Sequence, residues 1–175
     1  MKKKIWQLLS ALIVGATTIL LIAYAQEPKK DSGMANMNME EINKRGDHVM
    51  GFDHMKTTHH FRLLQDGGAI EITANIAGDI ESRDQIRMHL GHIVKMFADG
   101  NFNAPMLIHD QTPPGVPVMQ SLKGEITYKF EEIERGGAVR ISTKNPDALK
   151  AIYAFLRFQI SEHMTSDPLE VPGSR

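Results

Sequence analysis

Four short segments of the chain alternate apolar and polar residues, a pattern typical of strands with one buried face. They are residues 57–64, 69–75, 125–133 and 138–143. Within each pair, four residues separate the segments, and the last three are a polar residue and two glycines: Asp66-Gly67-Gly68 in the first pair and Arg135-Gly136-Gly137 in the second. Because glycine readily adopts the positive φ that tight turns need, we predict two β-hairpins with Gly-Gly at their turns.

A segment with helical periodicity follows each hairpin. After the first hairpin, apolar residues recur at spacings of four, three and four: Ile86, Leu90, Ile93 and Phe97. With Ser82 as its N-cap, this stripe predicts a helix over residues 82–98. After the second hairpin, Asn145-Pro146 opens a helix that extends to about His163, since proline is favoured at the first helical position.

The two halves of this pattern also match in sequence. The string GGAIEITAN (67–75) resembles GGAVRISTKN (136–145) closely over its first six residues. We therefore predict an α+β fold of duplicated ββα units, with a four-stranded antiparallel sheet and two helices on one face. The residues expected between sheet and helices are Phe61, Ile70, Ile72, Phe130, Val139 and Ile141, facing Leu90, Ile93, Leu149, Ile152, Leu156 and Ile160.

Polar composition marks the segments outside the repeat. Residues 26–47 predict a flexible tether with a short helix over 39–44 that breaks near Gly46. The single α+β domain is expected over 48–170, and a disordered tail over 171–175. Four prolines in the segment 101–124 predict an ordered loop, with a short helix near 118–122.

The first 25 residues indicate export. Three lysines precede a long apolar run that ends in Ala23-Tyr24-Ala25, the small-x-small pattern that a signal peptidase accepts,. A signal peptide and an uncleaved N-terminal anchor are both compatible with this run. Both place the rest of the chain in the periplasm or outside the cell, and contact with a membrane is expected only through an uncleaved leader.

Composition excludes several classes of function. The chain has 175 residues, 8 His, 11 Met, no Cys and a formal net charge of -1. The lack of Cys excludes thiol catalysis, Cys-based zinc or iron–sulfur sites and CxxCH haem attachment. No basic stripe is present, so no nucleic-acid partner is expected. A domain of this size needs no metal to reach a stable fold.

The chain contains four longer strings of note: MGFDHMKTTHHF (50–61), IRMHLGHI (86–93), TPPGVPVM (112–119) and FLRFQISEH (155–163). These strings resemble those of a family of exported bacterial proteins that has no established activity. Some members of the family carry a Met/His-rich tail, which resembles that of periplasmic copper-handling proteins. Here the tail has Met34, Met37 and Met39 but no His before His48.

Histidine and methionine together, without cysteine, suit copper before zinc in an oxidising compartment. On the first long helix, residues 88, 89 and 92 lie close together, and His89 and His92 are three residues apart,. On the first strand, alternation places His59 towards the helices and His60 on the open sheet face. The candidate metal ligands are therefore His59, His60, His89 and His92, with Met88, His54 and Met55 as secondary candidates.

Other interpretations stay open at this stage. Methionine at helical spacing is more often core filler than a ligand. The chain lacks GxSxG, P-loop, GxGxxG and HExxH motifs, which disfavours an enzyme, although His109 and His163 are possible acid–base residues. The alternative to metal binding is an interaction module or small-ligand-binding module that forms a homodimer through its open sheet face. Leu64 and Ile133 would give this face apolar surface.

Overall fold

The computed structural model describes residues 32–173, and the expected leader (1–25) lies outside the described residues. The elements in chain order are α1 (Ser32–Met50), a 3-10 turn (His54–Lys56), β1 (Thr57–Leu64), β2 (Gly67–Ala74), α2 (Ile80–Ala98), α3 (Asn103–His109), α4 (Val116–Ser121), a second 3-10 turn (Lys123–Glu125), β3 (Ile126–Ile133), β4 (Gly136–Thr143) and α5 (Pro146–Glu162). Within the described range, no helix has the length and apolar character needed to cross a membrane.

The four strands form one antiparallel sheet in the order β1-β2-β4-β3. The two hairpins have the same register: Phe61 pairs with Ile70, and Phe130, 69 positions after Phe61, pairs with Val139. Ile70 and Val139 also pair with each other across the centre of the sheet, so an approximate two-fold axis passes between them. The α+β class and the four-stranded antiparallel sheet are therefore confirmed, and the strand register agrees with a duplicated ββα unit.

Alternation along the strands gives the sheet its buried face, as predicted. Val139 and Ile141 are fully buried against the helices, together with Leu90 of α2 and Ile152 of α5. Leu149, expected in this layer, is only half-buried, and Ala148 takes the buried position instead. The reason is the helix start: Asn145 caps α5 through its side chain, and this sets which residues of the first turn face the sheet,.

The prediction that Gly-Gly forms the hairpin turns was wrong. The turn residues are 65–66 and 134–135, and the glycines begin the next strand. A Cβ at Gly67 would lie 2.1 Å from the carbonyl oxygen of Ile141, and one at Gly136 would lie 2.0 Å from that of Ile72. The glycines therefore allow the two central strands to approach each other closely.

The helical content outside the repeat exceeds the prediction. The helix α1 continues through Gly46 to Met50, and the chain leaves it at Gly51, whose φ is 77°. The flexible tether was therefore the wrong prediction for the part of 26–47 that belongs to α1. The helix α3 was not predicted, because it is short and contains Pro105, which obscures its apolar pattern. The N-cap of α2 is Asp79 and not Ser82, and Val171, in the expected disordered tail, packs against the core.

The open face of the sheet is polar and crossed by ion pairs. Arg62 contacts Glu71, and Arg140 contacts Asp66. Leu64 and Ile133 lie at its ends and are half-buried. The homodimer through this face stays a prediction.

Candidate functional site

Two neighbouring cavities lie between the helical layer and the edge strand β1. The inner cavity, of about 60 Å³, is lined mainly by the apolar core, and the vestibule, of about 260 Å³, opens beneath α1. Both are lined by Met50, His59 and His163, so these three side chains form the wall between them. The wall brings together the end of α1, the strand β1 and the C-cap of α5.

Three histidines from different elements line the inner cavity, and a fourth, His109, contacts one of them. The rings of His59 and His163 stack with centroids 5.7 Å apart, and the ring of His109 meets that of His163 at 5.0 Å, edge to face. His89, from α2, lines the same cavity. Phe52 lies between His59 and His89, with ring centroids 6.3 Å and 5.6 Å from them. We call His59, His89, His109 and His163 the imidazole cluster.

Burial keeps the imidazole cluster neutral. Desolvation, with smaller contributions from His89, His60 and His54, lowers the pKa of His59 from 6.5 to about 4. Desolvation, with the nearby His92, lowers the pKa of His89 to about 4.

Burial also lowers the pKa values of His163 and His109, the two histidines of the imidazole cluster that follow His89 in the chain. Desolvation and the neighbouring His59 and His109 lower the pKa of His163 to about 3. Desolvation also lowers the pKa of His109, against the opposing effects of Gln159 and Glu162. Neutral imidazole is the form that binds metal ions, so the site needs no proton release at neutral pH.

Some polar atoms of the site have no hydrogen-bond partner. Among the described residues, Nε2 of His59, Nδ1 of His109 and Nε2 of Gln159 are buried and unpaired. Nε2 of His109 lies 3.0 Å from Oε1 of Gln159. Because that oxygen only accepts, Nε2 of His109 donates, and its Nδ1 keeps a free lone pair. Unpaired buried nitrogens are unusual and are expected where a ligand supplies the missing partner.

Of the seven predicted ligands, the inner cavity brings together two and the vestibule three. His59 and His89 line the inner cavity. His60 points to the other side of β1 and contacts Asp167 at 2.9 Å, while Nδ1 of His54 lies 2.9 Å from Asp47. His60 and His54 therefore line the vestibule with one ring nitrogen already paired.

The other three predicted ligands lie on the surface. Met88 and Met55 have exposed fractions of 62% and 74%, and His92 is also exposed. The proximity of His89 and His92 on α2 does not make a joint site, because His89 turns towards the sheet and His92 towards solvent.

Two residues of the cavity wall, Met50 and His163, were not among the candidate ligands predicted from the sequence. Met50 ends a helix whose length the polar pattern did not indicate. His163 follows the last apolar position of α5, and only the path of that helix across the sheet brings it beside His59. The repeat itself offered one signal: Tyr128 lies 69 positions after His59, the same offset as Phe130 from Phe61, so the two halves differ in chemistry at this inward position.

One acidic group also brings potential ligands together. Within residues 40–173, Asp47, Asp53 and His54 are the His, Asp and Glu side chains with three ligand atoms within 4.8 Å of one another. These side chains already form hydrogen bonds within the local turn. Asp47 accepts hydrogen bonds from the backbone and ring of His54, and Asp53 accepts one from the N–H of Met55. The nitrogens of the imidazole cluster are less tightly grouped, so an ion there would have to draw the rings inward.

Comparison of the chain with protein-family models, with curated proteins and with solved structures finds no match. The functional argument therefore rests on the geometry of the two cavities.

Proposed function

We propose that this chain is an exported, non-enzymatic protein that binds a transition-metal ion, copper before zinc, in the inner cavity. Its role would be to sequester or deliver the metal in the periplasm or outside the cell. The observation that carries the proposal is that three imidazoles and one thioether, those of His59, His89, His163 and Met50, line one partly enclosed cavity. Imidazole and thioether donors without thiolates suit copper.

The charge of the cavity favours a monovalent ion. Among the described residues that line it, none is Asp, Glu, Lys or Arg. The cost of moving an ion out of water rises with the square of its charge, so neutral ligands compensate less completely for Zn²⁺ or Cu²⁺ than for Cu⁺. Cu(I) is therefore the favoured ion, and the thioether of Met50 also favours Cu(I).

Two chemical features support binding in place of catalysis. The donors are held by a packed core, with Phe61, Leu90 and Phe155 among the residues that surround them. The nearest carboxylate to the imidazole cluster, that of Glu162, lies 3.9 Å from Nδ1 of His109. The cavity itself presents no acid–base pair of the kind that hydrolytic chemistry requires.

A competition titration of the full chain, kept in a mild detergent because of its apolar N-terminal run, tests the proposal. Cu(I) and Zn(II) are titrated separately against chelators of known affinity. We expect one Cu(I) per chain and weaker binding of Zn(II). The variant His89→Ala should lower the Cu(I) affinity at least about 100-fold, since it removes a direct ligand.

The matched control is His92→Ala, one turn further along the same helix. Its imidazole is exposed, so its loss should change the affinity less than about 3-fold, within the range of a lost surface contact. Equal losses for the two variants, or binding no tighter than that of scattered surface histidines, would contradict the proposal.

A further inference from the structure

The vestibule lies along the free edge of β1. Thr57, Thr58, His59 and His60 all line it, although strand alternation points their side chains to opposite faces of the sheet. Consecutive residues of a strand line the same cavity when that cavity meets the strand at its edge. The main chain of β1 is therefore part of the vestibule wall, and Gly46 of α1 lines the same space.

The N–H and C=O of His59 point towards this edge. Phe61 donates its N–H to Asp167 and not to Ile70, its partner residue in β2. In an antiparallel ladder every second residue points the same way, so the N–H and C=O of His59 also point away from β2. Among residues 40–173, no main-chain hydrogen bond outside the strand ladders involves these two groups. His59 thus presents one donor and one acceptor to the vestibule.

The edge of β1 is closed on both sides of His59. The carboxylate of Asp167 accepts from the N–H of Phe61 and also contacts the ring of His60. The N–H of Thr57 donates to the carbonyl oxygen of His54. Strand edges are usually covered in this way, because an unpaired edge binds another strand. The remaining gap at His59 is short, so it suits a short chain and not the long strand of a folded partner.

The size of the vestibule agrees with a short ligand. Its volume is about 260 Å³, against about 30 Å³ for one molecule of liquid water. Gly46 adds no side chain to this space, and a Cβ there would meet the flexible end of Met50 at 3.1 Å. A larger residue at position 46 would therefore occupy the space that a ligand needs.

The lining of the vestibule favours an uncharged group. Its ionisable side chains, His54 and His60, are each paired with a carboxylate. Asn43 is polar and neutral, and Ile42 and Met50 supply apolar surface. A peptide group carries a donor and an acceptor without a net charge, so it can be desolvated here when both are paired.

We infer that the vestibule binds a short extended peptide, one residue of which pairs with His59 as in an antiparallel strand. That residue donates its N–H to the carbonyl oxygen of His59 and accepts from the N–H of His59. Peptide-binding domains use such main-chain pairing at exposed sheet edges. The inference goes beyond the proposed function, because it uses the main chain of His59 and requires no metal ion.

The probe for this site is N-acetyl-L-alanine N′-methylamide, which has one residue flanked by two peptide groups. The metal-free full chain, kept in a mild detergent, is titrated with it, and the ¹H–¹⁵N NMR signal of the His59 amide is followed. We expect a downfield shift of this amide proton, because it gains a hydrogen bond. The Kd should be roughly 1 to 10 mM, as suits a ligand of this size.

A matched probe tests the main-chain pairing directly. N-acetyl-N-methyl-L-alanine N′-methylamide has the same side chain but lacks the N–H that would donate to His59. Its affinity should be at least about 5-fold lower, the loss expected for one hydrogen bond. Equal affinity of the two probes, or an unshifted His59 amide, would overturn the inference.

Gly46→Leu fills the vestibule from α1 and should lower the affinity for the first probe at least about 10-fold. Asn43→Phe, at a half-buried position of the same lining, replaces it if that variant does not fold. Gly91→Leu is the control, because Gly91 is also a helical glycine but has open space around it, and it should leave the affinity unchanged. An affinity that neither filling variant lowers would contradict the site. Failure of the chain to bind Cu(I) would overturn the proposed function and leave this peptide site intact.

Discussion

The two halves of the duplicated fold use the same backbone for different purposes. The inward position that holds His59 in β1 holds Tyr128 in β3, and each follows the same hairpin register. Tyr128 lies in a closely packed aromatic core: its ring is 5.8 Å from Phe97, which stacks on Phe102 at 4.4 Å. His59 instead lies in the wall of a cavity.

The difference comes from segments that the repeat does not contain. Met50 and Phe52 precede the first hairpin, His109 lies in α3, and His163 lies at the C-cap of α5. These parts lie around His59, whereas Tyr128 packs against Phe97, which itself stacks on Phe102. The first ββα unit thus supplies the sheet together with His59 and His89, and the segments around it supply Met50, Phe52, His109 and His163. The following predictions test this division.

Acidification should have the largest effect, and it should act through the first half. The unfolded chain binds protons at His59, His89 and His163 below pH 6.5, whereas the folded chain binds them only near pH 3 to 4. The free energy of unfolding should therefore fall as the pH drops from 6.5 to about 4, by up to about 4 kcal/mol per pH unit for the three together. Urea unfolding at a series of pH values measures this slope.

His59→Phe makes the first half resemble the second and removes one titrating group. It should therefore lower the slope of the free energy of unfolding against pH by up to about 1 kcal/mol per pH unit. His92→Ala, at an exposed imidazole, is the control and should leave the slope nearly unchanged. A slope that is the same in His59→Phe and in the parent chain would contradict the assignment of the acid sensitivity to the imidazole cluster.

Closing the gap between the central strands should destabilise the two halves equally. Gly67→Ala and Gly136→Ala each place a Cβ about 2 Å from a carbonyl oxygen of the partner strand. We expect each to lower the free energy of unfolding by at least about 3 kcal/mol, because backbone and not a flexible side chain has to move. Gly91→Ala, in open space on α2, should instead stabilise by up to about 1 kcal/mol. Values for Gly67 and Gly136 that differ by several kcal/mol would break the two-fold equivalence.

The C-terminal segment should matter to the first half through Asp167. This buried carboxylate accepts from the N–H of Phe61 at 2.9 Å and pairs with His60 and Arg62. Its burial would raise its pKa, but the hydrogen bonds from Phe61, Thr165 and His60 lower it overall.

Asp167→Ala leaves the edge of β1 without this acceptor. It should lower the free energy of unfolding, measured with a denaturant, by about 2 kcal/mol. Asp84→Ala removes an exposed carboxylate that pairs with Arg83, and it should cost less than about 0.5 kcal/mol. Equal effects of the two substitutions would show that the C-terminal segment does not hold β1.

The smallest effect is expected at the counterpart of His59. The hydroxyl of Tyr128 is buried and has no hydrogen-bond partner among the described residues, and burial raises its pKa. Tyr128→Phe removes this unpaired group and should stabilise the fold by about 1 kcal/mol. It should leave metal affinity unchanged, because Tyr128 does not line the cavity. A loss of stability would mean that the hydroxyl has a partner, such as a buried water.

Most of the sheet could be predicted from the sequence, but less of the candidate site. Alternation in β1 to β4 and the match between 67–75 and 136–145 were enough to predict a four-stranded antiparallel sheet and opposite orientations of His59 and His60, but not the strand order. The Gly-Gly pairs led to a wrong prediction of the turn positions, because glycine occurs where two strands approach each other closely as well as in turns. The cavity depends on where α1, α3 and the end of α5 cross the sheet. Contacts such as His59 to His163, 104 positions apart, leave no local pattern.

The most direct test of the account is to observe the histidine nitrogens during metal binding. Cu(I) is diamagnetic, so ¹⁵N NMR of the imidazoles in the labelled full chain can follow each ring during titration. The account predicts that one equivalent of Cu(I) shifts His59, His89 and His163 and leaves His92 unchanged. Shifts confined to His54, beside Asp47 and Asp53, or spread over exposed histidines, would contradict a metal site in the inner cavity.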